Sequence, residues 1–174
     1  VMSAISASYL PWSYEQLKAK NYESLKKMGN ILIVLISGCI FMLMMFIPEI
    51  IYIFAGNKYS DAVYCIPPIA LSIFFMFLYE LFSTVEFFYA KNIFVMIASV
   101  MAAALNVGLN AYFIPIFGYH AAGYTTLFCY FAYALGHYIF YRRICKKTLD
   151  IKEIYDRKFI MILSAFMFAV TITV

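Results

Sequence analysis

The sequence predicts an all-α protein of the polytopic membrane class, in which several helices cross a lipid bilayer. Hydrophobic residues make up 66% of the 174 residues, whereas a soluble domain usually carries about 45–50%. Charged residues contribute only 13%, and they lie in short clusters between long apolar runs. Such a distribution is typical of chains whose main solvent is lipid.

Four runs are long and apolar enough to cross a bilayer, which takes about 20 mostly apolar residues in a helix. They are residues 31–54, 66–90, 93–114 and 121–141. Because the backbone has no water to bond to in lipid, we expect each run to form a helix. The second run opens with Pro67 and Pro68, which suit the first turn of a helix because the N–H that proline lacks has no partner there.

Four further segments complete the predicted organisation. Residues 1–12 read as the end of a preceding transmembrane helix, and residues 159–174 as the start of a further, truncated one. Residues 13–30 mix Tyr and Leu with Lys and Glu at helical spacing, which predicts an amphipathic connection at the cytoplasmic interface. Residues 142–158 have similar composition and predict a second basic cytoplasmic connection.

The basic residues predict how the chain is oriented in the membrane. Of the 13 Lys and Arg residues, only Lys58 falls on the other side of the four runs from the rest. Because Lys and Arg are enriched in cytoplasmic loops, the basic side is predicted to be cytoplasmic. The net charge of +4 is therefore interpreted as a topology signal in a multi-pass protein of the cytoplasmic (inner) membrane, and no nucleic-acid partner is expected.

Acidic residues inside apolar runs are informative, because a charge at a helix centre costs about 2.5–3.5 kcal/mol on insertion scales. Glu80 lies roughly 20 Å along the second run, well inside the hydrocarbon. Glu49 is expected at the outer end of a kinked helix, and Glu86 is expected to reach the inner head groups. Two interpretations of Glu80 stay open: a proton- or cation-linked residue facing a cavity, or a protonated or hydrogen-bonded contact between helices.

The third run carries a second group of polar residues. Ser99, Ala103, Asn106 and Asn110 follow helical spacing and form one narrow, small and partly polar face. Such a face favours close helix packing, with the Asn side chains bonding across it. Contact with a substrate is the alternative interpretation for Asn106 and Asn110.

The sequence offers no pattern for catalysis or metal binding. Neither His120 nor His137 has a metal-ligand partner nearby in the sequence, and catalytic-triad and nucleotide-binding motifs are absent. The four cysteines lack metal-type spacing and are interpreted as small apolar residues. We therefore expect no enzyme, no cofactor and no metal site.

A more specific pattern lies within residues 104–126. It consists of Asn106-x3-Asn110, Ile114-Pro115, the aromatic-Gly turn Phe117-Gly118, and Ala121-Ala122-Gly123 before Thr125. This pattern resembles the lipid-linked oligosaccharide (O-antigen repeat-unit) flippases of the polysaccharide transporter family, within the multidrug/oligosaccharidyl-lipid/polysaccharide exporter superfamily. In this comparison Pro115, Gly118 and Gly123 are turn or packing residues. Tyr9-Leu10-Pro11-Trp12 and the turn at residues 53–59 also resemble segments of that family.

The resemblance implies a fold and a function. The fold would be a two-bundle, inverted-V transporter with alternating access, in which this chain supplies a portion of the C-terminal half. The function would be translocation of undecaprenyl-type lipid-linked polysaccharide repeat units from the cytoplasmic to the outer leaflet, without a covalent step. The implied partners are the lipid-linked oligosaccharide, membrane lipids and the remaining half of the same transporter. The cations that hold the pyrophosphate would lie in that half, because none of the four runs contains Lys or Arg.

Two alternatives stay open. One is cation-coupled efflux of drugs or metabolites on the same scaffold, with Glu80 as the coupling group. The other is a membrane-embedded glycan polymerase or ligase, or a scaffold without transport. An enzyme predicts a large polar outer loop, whereas the outer connections are short and carry little beyond Lys58, Asp61 and His120.

Overall fold

The computed structural model describes residues 2–54 and 63–173, and the regular structure in this part of the chain is helical. The helices are α1 (Met2–Lys18), α2 (Tyr22–Met45), α3 (Ile47–Phe54), α4 (Ile66–Phe88), α5 (Asn92–Phe117), α6 (Ala121–Ile144) and α7 (Arg157–Thr173). A π-helical segment, Cys145–Leu149, follows α6. The prediction of an all-α fold is confirmed for these residues.

Three helices of the described part are long and apolar enough to cross a membrane, namely α2, α4 and α5. The fourth predicted run, 121–141, forms α6, which has the required length but is not among these three. Its mean hydropathy is lower because Tyr, Thr, Gly and His interrupt the apolar residues. It packs along both α4 and α5, and its polar residues Thr125 and His137 are buried.

The first predicted run, 31–54, does not form one helix. The α2 helix begins earlier, at Tyr22, where the Asn21 side chain accepts a hydrogen bond from the Ser24 N–H at 3.3 Å. It ends at Met45, and α3 starts at Ile47 with Pro48 in its first turn. Proline lacks an N–H and its ring clashes with the preceding turn, which explains the break. Most of the predicted connection 13–30 belongs to α1 and α2, so the segment that joins these two helices is only residues 19–21.

Two further boundaries differ from the prediction. The α5 helix continues through Pro115 and ends at Phe117. The next residue, Gly118, has a φ of 73°, a left-handed conformation that glycine adopts without strain. The second predicted run ends at Phe88 rather than residue 90, and Ala90 has a φ of 54°.

The segment between α6 and α7 packs into the bundle. Ile154 and Tyr155 are buried, and their backbone N–H groups both donate to the Tyr141 hydroxyl. The Tyr155 hydroxyl lies 2.9 Å from that of Tyr9 in α1. A buried cluster of Tyr9, Tyr141 and Tyr155 therefore joins this segment to α1 and α6.

Contacts between helix ends show which ends of the helices lie together in the bundle. At one end, Tyr14 of α1 contacts the Phe88 ring, and Phe94 of α5 stacks on Phe140 of α6 at 3.8 Å. At the other end, Cys65 Sγ lies 3.2 Å from His120 Nδ1, so the starts of α4 and α6 meet. The α4 and α6 helices thus run in the same direction, with α5 returning between their ends.

The α4 helix lies at the centre of the described bundle. Within its most apolar window 72% of the residues are buried, against 6% for α5. Most of the buried side chains of α4 are apolar, and they include Leu71, Phe74, Phe77, Leu78 and Leu81. Four polar residues of α4 are buried with them, namely Ser72, Ser83, Thr84 and Glu86.

Candidate functional site

A buried acid–base pair joins α4 to α6. His137 Nδ1 lies 2.8 Å from Glu86 Oε2, and both side chains are fully buried. Glu86 lies in the last turn of α4, and His137 lies in the second half of α6. The expectation that Glu86 reaches the inner head groups is therefore wrong, because its carboxyl group points into the bundle.

Aromatic rings enclose this pair. The Tyr133 ring stands edge-on to the His137 ring at 4.5 Å, and the rings of Tyr79 and Phe94 each lie 5.6 Å from it. The second polar atoms of the pair, Glu86 Oε1 and His137 Nε2, have no hydrogen-bond partner within the described residues. The pair therefore has unused hydrogen-bonding capacity in surroundings that offer little else polar.

Glu80, the acid singled out from the sequence, lies in different surroundings. It is partly buried, and its Oε2 accepts a hydrogen bond from Ser6 Oγ of α1 at 2.7 Å. It lines a groove of about 470 Å³ between α1 and α4, together with Tyr9, Tyr14 and Thr84. Glu80 thus makes a helix–helix hydrogen bond and also faces a groove, so both interpretations of this residue stay open.

The polar face predicted for α5 packs against α6. Asn110 Nδ2 donates to Asn106 Oδ1 at 3.0 Å, and Thr125 Oγ1 of α6 donates to Asn110 Oδ1 at 2.5 Å. Ser99 Oγ lies 2.6 Å from the Tyr133 hydroxyl. The polar residues of α5 therefore meet hydroxyl groups of α6 at two levels along the helix.

A second groove, of about 440 Å³, runs between α5 and α6 and reaches α4. We call it the α4–α5–α6 groove. Its lining combines hydroxyl, amide and aromatic groups: Tyr79, Ser99, Ala102, Ala103, Asn106, Thr126, Cys129, Tyr130 and Tyr133. Three of the four residues of the predicted α5 face lie in this lining, and the fourth, Asn110, bonds to Thr125 instead. Tyr79 also lines the groove beside Glu80, so the two grooves share this residue.

The three predicted turn or packing residues lie at the end of the bundle opposite the acid–base pair. A Cβ at Gly123 would lie 3.0 Å from the Cys65 carbonyl oxygen and 3.2 Å from Pro68 Cγ. The absence of a side chain at Gly123 therefore lets the starts of α4 and α6 approach closely. Gly118 ends α5, and Pro115 lies exposed in the last turn of that helix.

Sequence reasoning missed the pairing of Glu86 with His137, which are 51 residues apart. A signal was available, because each residue interrupts an apolar run near its basic end. Two helices that run in the same direction bring such positions to the same depth. Comparing the depth of polar residues between alternate runs would have found the pair.

Within residues 2–54 and 63–173, no group of three or more His, Cys, Asp and Glu side chains could hold a metal ion. The chemistry that the arrangement supports is of two kinds. One is the buried hydrogen bond between the Glu86 carboxyl group and the His137 imidazole, and the other is the α4–α5–α6 groove, whose hydroxyl and amide groups can form hydrogen bonds. No family model, curated protein or solved structure matches this chain.

Proposed function

We propose that the chain is part of a membrane flippase that moves lipid-linked polysaccharide repeat units from the cytoplasmic to the outer leaflet. The observation that carries this proposal is the α4–α5–α6 groove, which combines tyrosine rings with amide and hydroxyl groups. Sugars present hydroxyl groups for hydrogen bonds and C–H faces for aromatic rings. A groove with both features between membrane helices fits a glycan better than an apolar drug.

The position of the groove supports transport. Polar side chains within membrane helices almost always face the bundle interior or a water-filled cavity, and they mark substrate pathways. Asn106 lies on α5, and Tyr130 and Tyr133 lie on α6. Strongly apolar residues precede and follow them in both helices. The α5 helix that supplies Asn106 is mostly unburied within the described bundle. In the proposed two-bundle, inverted-V transporter, the remaining half faces this region and completes the cavity.

The sequence resemblance points the same way. Asn106, Asn110 and Thr125, which belong to the flippase-like pattern, form one hydrogen-bonded chain. Under this proposal α6 also crosses the membrane, and the end of the bundle with the acid–base pair faces the cytoplasm. The protein is then a multi-pass protein of the cytoplasmic membrane.

The proposal is tested by deleting the gene in its host and measuring surface polysaccharide and lipid-linked repeat units. We expect surface polysaccharide to disappear and repeat units to accumulate on the cytoplasmic leaflet. Complementation with Asn106→Ala or Tyr130→Ala is expected to restore less polysaccharide than complementation with Val107→Ala. Val107 is a matched control on the same helix, because its side chain is 69% exposed. Normal polysaccharide without accumulation of repeat units would contradict the proposal.

Cation-coupled efflux of drugs or metabolites is the second candidate, and Glu80 favours it. Its carboxylate lies in the α1–α4 groove and has a neutral hydroxyl, that of Ser6, as its hydrogen-bond donor. Efflux predicts that the deletion strain gains drug sensitivity while its polysaccharide stays intact. Glu80→Gln would then fail to restore resistance.

A further inference from the structure

Glu86 and His137 form the one fully buried acid–base pair among the ion pairs of the described residues. We propose that this pair is a proton-binding site, which holds one proton while α4 and α6 are packed and releases it when their contact opens to water. The proton site rests on the proposed transport function only for its role as a coupling step. Its ligand is the proton itself.

Burial determines how many protons the closed pair holds. With one proton the pair is neutral overall, whether that proton lies on Nδ1 of His137 or on Oε2 of Glu86. Removing the proton leaves a net charge of −1, and adding another leaves a net charge of +1. An uncompensated charge is costly to bury, and both side chains are fully buried. One shared proton is therefore the stable state of the closed pair.

Exposure of the pair to water changes the number of protons that it binds. In water a glutamate side chain has a pKa of about 4.3 and histidine a pKa of about 6.5. Above pH 6.5 the separated groups therefore hold no proton between them, and the shared proton passes to water. The closed state binds one proton more than the open state in this range. Lowering the pH thus favours closure and raising it favours opening.

The charge on the pair is balanced locally. The titratable groups that face it are Tyr79 on α4 and Tyr133 on α6, while α5 presents the apolar ring of Phe94. In the part of the chain that the structure describes, Glu86 forms no ion pair with Lys or Arg. His137 is therefore the basic group that decides the charge state of Glu86.

Two tyrosine rings lie between the pair and the α4–α5–α6 groove. Tyr79 and Tyr133 cover the pair and also line the α4–α5–α6 groove. The Tyr133 hydroxyl is held by Ser99, at 2.6 Å, so rotation of this ring requires that hydrogen bond to break. Movement of Tyr133 would expose the pair to the groove in which we propose that the glycan binds.

The unused atoms of the pair favour proton exchange over a purely structural role. Buried polar side-chain atoms usually have a hydrogen-bond partner. Glu86 Oε1 and His137 Nε2 have none within residues 2–54 and 63–173. Both can bond to water once the contact opens, which lowers the free energy of the open state.

A titration of His137 tests the proton site without requiring transport. The chain has two histidines, so His120→Gln leaves His137 as the single imidazole. The full chain, labelled with 15N-histidine and placed in lipid nanodiscs, is measured by NMR between pH 5 and 9. We expect the His137 nitrogen shifts to change in one step. Glu86→Gln should abolish this step, because the imidazole then stays neutral, whereas the matched control Glu80→Gln should retain it.

Constant His137 shifts between pH 5 and 9 would overturn the proposal. An unchanged titration in Glu86→Gln would also overturn it. If Glu86→Gln does not fold, the titration of the unsubstituted pair decides alone, because a merely structural pair shows no proton exchange in this range.

A flipping assay tests the role of the pair in transport. It uses the full chain with the rest of its transporter in proteoliposomes that carry lipid-linked oligosaccharide. A pH gradient is expected to accelerate flipping by the unsubstituted protein and by the control Glu49→Gln. Glu86→Gln should lose this acceleration, so that its flipping rate is the same with and without the pH gradient. Flipping whose gradient response survives Glu86→Gln overturns the proton site alone. No flipping by the unsubstituted protein overturns the proposed function, and the titration then judges the proton site.

Discussion

The hydrogen bond between Glu86 and His137, two residues 51 positions apart in the sequence, joins α4 to α6 at 2.8 Å and out of contact with solvent. Replacing either residue by Ala is expected to lower the free energy of unfolding by about 1–3 kcal/mol, because the other polar group stays buried without its partner. The double substitution should cost less than the sum of the two single ones. Unfolding in mixed micelles measures all three variants.

The control for this comparison of single and double substitutions is Glu49→Ala, since Glu49 is exposed. It should change the free energy of unfolding by no more than about 0.5 kcal/mol. Strict additivity of Glu86→Ala and His137→Ala would show that the hydrogen bond contributes nothing to stability.

Gly29 in α2 lies against the Tyr155 ring. A Cβ at this position would lie 2.7 Å from Tyr155 Cε1 and 2.8 Å from Cδ1, and Tyr155 is buried and cannot easily move. Gly29→Ala should therefore destabilise the protein by about 1–3 kcal/mol. Gly38 in the same helix has no atom within 4 Å of such a Cβ, so Gly38→Ala should be neutral or stabilise by up to about 1 kcal/mol. Thermal unfolding of both variants checks this, and equal effects would contradict it.

The Tyr141 hydroxyl accepts hydrogen bonds from the backbone N–H groups of Ile154 and Tyr155, the latter at 2.9 Å. Tyr141→Phe keeps the ring that stacks on Phe82 but leaves two buried N–H groups without their acceptor. We expect a loss of about 1–3 kcal/mol and faster hydrogen exchange at those two amides, measured by mass spectrometry. Tyr112→Phe is the control, because Tyr112 is 65% exposed. Unchanged exchange at Ile154 and Tyr155 would show that the hydroxyl is dispensable.

Asp156 precedes α7, and its carboxylate accepts hydrogen bonds from the Lys158 and Phe159 N–H groups while lying 3.2 Å from Lys26 Nζ. The Phe159 N–H and the Lys26 ammonium hold the pKa of Asp156 below its ordinary value. Because the folded-state pKa is lowered, its stabilising effect is present above about pH 3.9 and is lost as pH falls through the folded-state pKa.

Asp156→Asn keeps an N-terminal cap but cannot titrate. Its unfolding midpoint should therefore fall less between pH 5 and pH 3 than that of the unsubstituted chain. Asp150→Asn is the control, since Asp150 is exposed and Asn tolerates its left-handed backbone conformation, φ 55°. An equal pH dependence in all three proteins would contradict the role of Asp156.

Local sequence features predicted the α4 helix well. Its start at Ile66 follows from Pro67 and Pro68, whose missing N–H groups cost nothing in a first turn. Pro48 indicated a kink in the first run, with Glu49 at its outer end, but the separation into two helices at Phe46 was missed. Hydropathy alone does not distinguish a continuous apolar helix from two helices in line. The burial of residues 154 and 155 was also missed. It depends on the Tyr141 hydroxyl and on the space beside Gly29, neither of which a local pattern shows.

For the candidate site, the sequence indicated single residues and the structure showed their partners. The spacing of Ser99, Ala103 and Asn106 predicted one face of α5, because helical periodicity places such residues on the same side. The residues opposite that face, Tyr130 and Tyr133, depend on how α6 packs. Glu80 drew attention as an acid in mid-run, but its bond to Ser6 of α1 could not be read from either segment.

By itself, the sequence determined that this chain forms apolar helices long enough to cross a membrane, because backbone hydrogen bonding and residue hydropathy are local properties. It also determined which residues are out of place in those helices. Only the tertiary structure decided that Glu86, rather than Glu80, meets a histidine and loses contact with solvent. That pairing depends on the relative depth and rotation of α4 and α6, which arise from side-chain packing along both helices.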